Sequence, residues 1–236
     1  MQSKTTQPGN LGTVLWEGQL VTVDSSSETT PSPMPEMTAE MTEDQAIATL
    51  FQAAATFWDG GDRPSAQALV AAMLAAETTA RHQKTPLAFE HLLGQWRLCF
   101  TTATRKARRR GIRLGPGFYW PKFVPAQISF ASADPATNQG TIANQVTLGG
   151  LWLRFTGPCR FQPKKNLLAF DFTEMGIGAG DRPLWQRSLR EESAEAFAAR
   201  AIAKLPFFSF FQATPHFLAA RGRGGGLAIW VKRPDC

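Results

Sequence analysis

The spacing of apolar residues along the chain changes once. Behind Thr42, the residues Ile47, Leu50, Phe51, Ala54 and Trp58 recur at helical intervals as far as Gly60 and Gly61. The stretch Thr42-Glu43-Asp44-Gln45 has the Thr-x-x-Gln form of a capping box, so a helix is predicted to start there. A second stripe of Ala68, Leu69, Ala72, Met73 and Ala76 predicts another helix from Pro64 to Thr79. From Gly94 the period becomes two. Trp96, Leu98 and Phe100 alternate with Arg97, Cys99 and Thr101, and the same alternation carries Ile128 and Phe130, then Ile142, Val146 and Leu148. Leu151, Leu153 and Phe155 follow, then Leu168, Phe170 and Phe172, and finally Leu227, Ile229 and Val231. None of these six segments is preceded by a regular crossover helix, which predicts an antiparallel sheet. A sheet of so many twisted strands removes its exposed edges by curling into a closed or nearly closed barrel, with room inside for side chains or one small ligand.

One stretch, Leu184 to Leu205, reads as an inserted helix, with Glu191, Glu192 and Glu195 ahead of Arg200 and Lys204 as the helix dipole prefers. The chain thus divides into a flexible Ser/Thr/Pro-rich leader (1–41), an N-terminal helical segment (42–86) and a barrel (87–236) interrupted by a helix over 184–205. In the leader only "TVLWEGQLVTV" has the makings of a short strand.

Composition sharpens this picture. Of 236 residues 43% are hydrophobic, with 17 Phe, 7 Trp and a single Tyr, a large apolar content for a chain in which 19% is charged. The longest apolar run, "ALVAAMLAA", is far too short to cross a bilayer as a helix. Cys99, Cys159 and Cys236 show no paired spacing, which fits a reducing compartment and suggests neither a disulfide framework nor a zinc site. The N-terminus lacks the pattern of a signal or transit peptide, so a cytoplasmic, prokaryotic protein is expected. A formal charge of +6 favours acidic partners.

Catalysis finds little support. His82, His91 and His216 sit in no nucleophile or metal pattern, and Asp171, Glu174 and Asp181 lack a spacing that dictates acid–base work. The expectation is a non-enzymatic protein without catalytic residues, metal or cofactor. The glycines of "RGRGGGLAIWVKR" precede a strand rather than a helix, so a phosphate loop is excluded and a tight hairpin turn expected. The basic run holding Arg105, Arg108, Arg109, Arg110 and Arg113 adjoins Phe118, Tyr119 and Trp120. A plain solvated loop is one reading of it. Phosphate contacts with base stacking are a second, and anionic headgroups with interfacial aromatic rings a third. The aromatic crowding favours lipid over nucleic acid, with Arg105, Arg108, Arg109, Arg110, Arg113, Tyr119 and Trp120 facing the membrane. In "LPFFSFFQ" the four rings cannot share one strand face, so two of them must enter a second apolar environment.

Two motifs carry a resemblance. Gly94, Trp96, Leu98, Phe100 and Thr101 in "LLGQWRLCFTT", together with Arg221, Gly222, Gly225 and Leu227 in "RGRGGGLAIWVK", resemble the two ends of the plastid lipid-associated proteins, the fibrillins or plastoglobulins. Asn144 resembles that family's central Asn, and the similarity runs from Leu87 to Lys232. The resemblance implies a mainly β, lipocalin-like barrel that handles isoprenoid lipids, such as carotenoids or quinones, at thylakoid membranes or lipid bodies. A cyanobacterial-type member fits the absent transit peptide. The Gly-x-Trp of Gly94 and Trp96 is also the lipocalin signature, and the resemblance offers Arg221 as the residue capping Trp96 at one barrel end. The implied partners are a hydrophobic small molecule, an anionic thylakoid surface and a photosynthetic or isoprenoid-biosynthesis protein, with no nucleic acid. Two departures stand out: Leu218 replaces an expected Arg, and the helix from Leu184 looks inserted.

The pattern leaves open which strand face points inward. The cavity lining is expected to include Trp96, Leu98, Phe100, Ile128, Phe130, Leu153, Phe155, Phe170 and Phe172. The alternatives are a bilin-handling barrel, or an interaction scaffold for quinone or photosystem assembly whose interior is filled.

Overall fold

The structure, a computed structural model, describes residues 41–103, 117–134, 137–191 and 193–232. The leader up to residue 40 and the run from Arg105 to Arg113 therefore lie outside the described residues. Two helices come first, α1 (Glu43–Asp59) and α2 (Ala66–Gln83), then a 3-10 turn (Phe89–Leu92). Strands β1 (Gly94–Thr101), β2 (Phe118–Tyr119), β3 (Ala126–Asp134), β4 (Gln139–Leu148) and β5 (Leu151–Gln162) follow. Next come β6 (Leu167–Phe170), β7 (Glu174–Ala179) and β8 (Arg182–Ser188), a short helix α3 (Ala194–Ala199), and β9 (Phe207–Ala213), β10 (Phe217–Gly222) and β11 (Leu227–Lys232). Neighbours run β4-β3-β1-β11-β10-β9-β6-β5, and β5 pairs with β4 as well, so these eight antiparallel strands close into a barrel. No helix among the described residues is long and apolar enough to cross a membrane.

Local chemistry sets the helix starts. Thr42 and Gln45 cap each other's backbone N–H groups in a reciprocal box, and the Ser65 hydroxyl accepts from the Ala68 N–H, so α2 begins behind Ser65. The two helices lie on the outside of β1, β11, β10 and β9, where Leu50, Phe57, Leu69 and Met73 pack against Cys99, Phe217, Ile229 and Val231. Phe100 belongs to this outer core and does not line the barrel. The cause is a bulge: Leu98 stands opposite Trp230, but Phe100 stands opposite Ile229, so the extra residue Cys99 reverses the alternation beyond it. Along β9 the rings divide, Phe208 and Phe210 entering the barrel while Phe211 meets the helices and Phe207 meets Phe197 and Leu205 of the α3 segment.

The stretch Leu184 to Leu205 is not the single inserted helix expected from the sequence. Among the described residues there only Ala194–Ala199 is α-helical, and Arg182–Ser188 is a strand paired with β7. A turn at Gly180 and Asp181, with Gly180 at φ 55°, sends the chain back along β7 before any helical turn can start. β7 in turn leaves the barrel because β5 branches. Its later half pairs with β6 and its earlier half, Leu151 to Thr156, with β7. Gly157 marks the branch, since a Cβ there would stand 2.0 Å from the Asp171 carbonyl oxygen. The segment after β8 is tied back by Asp171, whose carboxylate takes Arg190 at 2.7 Å and also Arg200, and by the Arg160 guanidinium, which donates to the carbonyls of Ala198 and Arg200.

Candidate functional site

One end of the barrel is sealed. Phe89 and Leu92 of the 3-10 turn plug it, Phe89 stacks on Phe161 at 5.9 Å, and the Trp96 indole N–H donates to the Leu92 carbonyl at 2.8 Å. Ile142, Leu168 and Leu218 complete a fully buried layer. The cation over the Trp96 ring is Lys232, at 5.8 Å, its register partner on β11. Arg221 does not fill that role: it lies at the far end of β10, where its guanidinium is taken by Glu77 of α2.

The opposite end is open. A cleft of about 210 Å³ at this mouth is lined by Leu98, Ile128, Asn144, Phe208, Ala228 and Trp230, and by Gly222 and Gly226 of the β10–β11 turn. Aromatic rings continue from it along one side: Phe208 meets Trp230 at 5.4 Å, Phe170 stacks on Phe208 at 5.1 Å, Phe172 meets Phe170 at 5.2 Å, and Phe155 meets Phe172 at 5.7 Å. Of the expected lining, Trp96, Leu98, Ile128, Phe130, Phe170 and Phe172 belong to or pack on the interior cluster. Phe155 touches that cluster at the mouth, and Leu153 stands on the same face beyond it.

The glycine-rich turn beside this cleft is held by a buried ion pair. Arg221 Nε donates to Glu77 Oε1 at 2.7 Å, a second guanidinium nitrogen donates to Glu77 Oε2, and a third donates to the Gly225 carbonyl at 2.8 Å. Arg81, one helical turn along, adds a contact to Glu77 at 2.7 Å. Burial alone would raise the Glu77 pKa. The hydrogen bond and charge of Arg221, reinforced by Arg81, outweigh it and hold the carboxyl below its ordinary value. The sequence carries a signal for one half of this pair. Glu77 extends the buried stripe of Leu69, Ala72, Met73 and Ala76, and a carboxylate on such a stripe requires a cation.

Beyond the mouth the interior face does not end. One register row runs across five strands through Ala126, Val146, Leu153, Ile177 and Trp185. Exposure along it rises from 5% at Ala126 to 44% at Trp185. The next row outward pairs Leu148 with Leu151, at 63% and 54% exposed. The outward continuation of the barrel lining is thus an apolar surface in water. Sequence reasoning placed the aromatic surface contact elsewhere, at Tyr119 and Trp120. Tyr119 turns to the helical layer instead, its hydroxyl donating to the Pro64 carbonyl at 2.8 Å and its ring edge-on to Phe100 at 5.1 Å. Burial, and next the nearby Cys99, push its pKa up to about 12. The half-buried Trp120 donates its indole N–H to Val124 within its own loop.

No protein-family model and no curated protein matches the chain. Among solved structures, a redesigned β-barrel matches at 11% identity over 63% of this chain and 96% of that one, with a TM-score of 0.28. The barrel therefore rests on the strand pairing itself.

Proposed function

We propose that this protein binds a hydrophobic isoprenoid lipid without chemically changing it, taking one end of the ligand into the barrel mouth. The observation that carries the reading is the mostly apolar face, interrupted by Asn144, that runs from the mouth cleft to the exposed row at Val146, Leu153 and Ile177. Pockets that bury most of a drug-sized ligand measure roughly 300–1,000 Å³. The cleft, at about 210 Å³, holds only a ring or head group, and the rest of an elongated ligand would lie along the exposed row. Asn144, between Ile128 and Phe155 on this face, is the polar group at hand to orient a carbonyl or hydroxyl. The class of ligand, a carotenoid or quinone of thylakoid membranes or lipid bodies, comes from the motif resemblance at Gly94, Trp96, Arg221 and Gly225.

The test is a titration of the full chain with a short-chain plastoquinone analogue, read by quenching of tryptophan fluorescence. Saturable quenching that is lost when Ala228→Trp fills the cleft supports the proposal. Non-saturable quenching, or quenching untouched by Ala228→Trp in a folded variant, refutes it. The sealed half of the barrel supports a second reading, an interaction scaffold with no cargo. That reading gains if neither the quinone analogue nor a carotenoid binds saturably.

A further inference from the structure

We infer that the paired tips of the β4–β5 and β7–β8 hairpins form a docking surface for an anionic lipid layer, with Leu148 and Leu151 entering the headgroup region and Arg182 and Arg187 meeting phosphates. The inference rests on the lipid reading above for its choice of partner, but on different residues. The two tips form one edge, because the Gly180 N–H donates to the Gly150 carbonyl at 3.0 Å. Gly149 and Gly150 turn β4 into β5 at φ 57° and 84°, leaving Leu148 and Leu151 opposed at the very end. Trp185, a ring that favours the bilayer interface, stands one row behind with Ile177 opposite it.

The charge on this face agrees with that partner. On this face β8 presents Arg182, opposite Ala179, and Arg187, opposite Met175, one on each side of Trp185. No position of the same face in β4, β5, β7 or β8 is a carboxylate, since Glu174 points to the other face and pairs with Thr156. Asp181 lies in the turn itself. A second copy docked face to face about a two-fold axis would find no acid on this face for its arginines. Edge-to-edge pairing through β8 is obstructed by Pro183 and by the bulge at Leu184. An anionic lipid surface satisfies both features, apolar insertion and phosphate pairing at its rim.

The experiment is flotation of the full chain with vesicles of phosphatidylcholine containing a third phosphatidylglycerol, against phosphatidylcholine alone. Wild type is expected to float with the anionic vesicles and far less with the neutral ones. Leu148→Ser with Leu151→Ser should weaken partitioning about fivefold to tenfold per leucine. Arg182→Gln with Arg187→Gln should weaken it about fivefold per arginine and remove most of the preference for the anionic vesicles. Near-UV circular dichroism and the quinone titration should be unchanged in both variants, which separates a lost surface from a lost fold or ligand site. The inference is overturned if wild type does not float, or if it floats and both variants float equally well. It is also overturned if sedimentation shows a dimer that the leucine variant abolishes, because a second copy would then be the occupant. A failed quinone titration with intact, leucine-dependent flotation would sink the ligand proposal and leave the docking surface standing.

Discussion

Replacing Glu77 by Gln keeps the shape of the side chain and leaves Arg221 without its counter-charge. The Glu77 side chain is 9% exposed and that of Arg221 25%, so the pair is largely withdrawn from water. Removing one partner of a fully buried pair costs about 3–5 kcal/mol. Arg221 retains its bond to the Gly225 carbonyl and some access to solvent, which lowers the expectation to about 2 kcal/mol. For a chain of this size that is a fall in Tm of about 4–8 °C, read by circular dichroism at pH 7. The double replacement Glu77→Leu with Arg221→Met, which removes both charges, should lie within about 1 kcal/mol of wild type. The pH dependence has a definite sign. Because the folded state holds the Glu77 carboxyl below its ordinary value, its contribution is complete above the unfolded pKa, and it is lost as the pH falls through the folded one. The gap between wild type and Glu77→Gln should therefore be constant near neutrality and narrow only below about pH 4.5. A variant melting within a degree of wild type at pH 7, or a double variant as unstable as the sum of the single ones, would refute the ion pair as the fastening of the mouth turn.

Three further outcomes follow from particular contacts. Phe100→Ala should destabilise by about 3 kcal/mol through the helical layer while leaving the quinone titration intact, and a lost titration in the folded variant would return Phe100 to the cavity wall. Gly178→Val places a Cβ about 2.1 Å from the Trp152 ring, so hydrogen exchange should report faster amides in β7 and β8 with the barrel strands unchanged. Burial pushes the thiols of Cys99 and Cys159 up to about 12, so iodoacetamide at pH 8 should leave both unmodified until denaturant is added, as peptide mass mapping would show.

The antiparallel barrel was legible because strands with one buried face must alternate, and those around Trp96, Ile128, Ile142 and Leu168 do. The alternation fails as a guide where the backbone adds a residue. At Cys99 a bulge moved Phe100 to the outer face, and strand periodicity contains no mark of it. The helix expected across β8 fails for a different reason: the order of acids and bases from Glu191 to Lys204 suits a helix, yet charge order lacks the apolar period that a packed helix needs. The Gly-Asp turn at Gly180 is the local hairpin signal that separates β7 from β8. The partner of Arg221 lies 144 positions earlier in the chain, a separation that no local motif reports.

Stability and binding should part company on the apolar face itself. β5 keeps one alternation through Leu151, Leu153, Phe155, Gly157, Cys159 and Phe161 without a register break, yet only its later half is inside the barrel. A core requires Cys159 and Phe161 to be apolar; it requires nothing of Leu151, which is more than half exposed. Large apolar surface left in water carries a cost in solubility, so packing does not explain why the alternation continues past the mouth. On this argument Leu148→Ser with Leu151→Ser should change folding stability by no more than about 0.5 kcal/mol per site. Leu168→Ser, which buries a hydroxyl in the sealed half, should cost several times that. Chemical denaturation of the two variants decides between the explanations. If the leucine pair proves as costly as Leu168, the row at Leu148 and Leu151 is a structural extension of the core, and its service as a docking surface loses its physical basis.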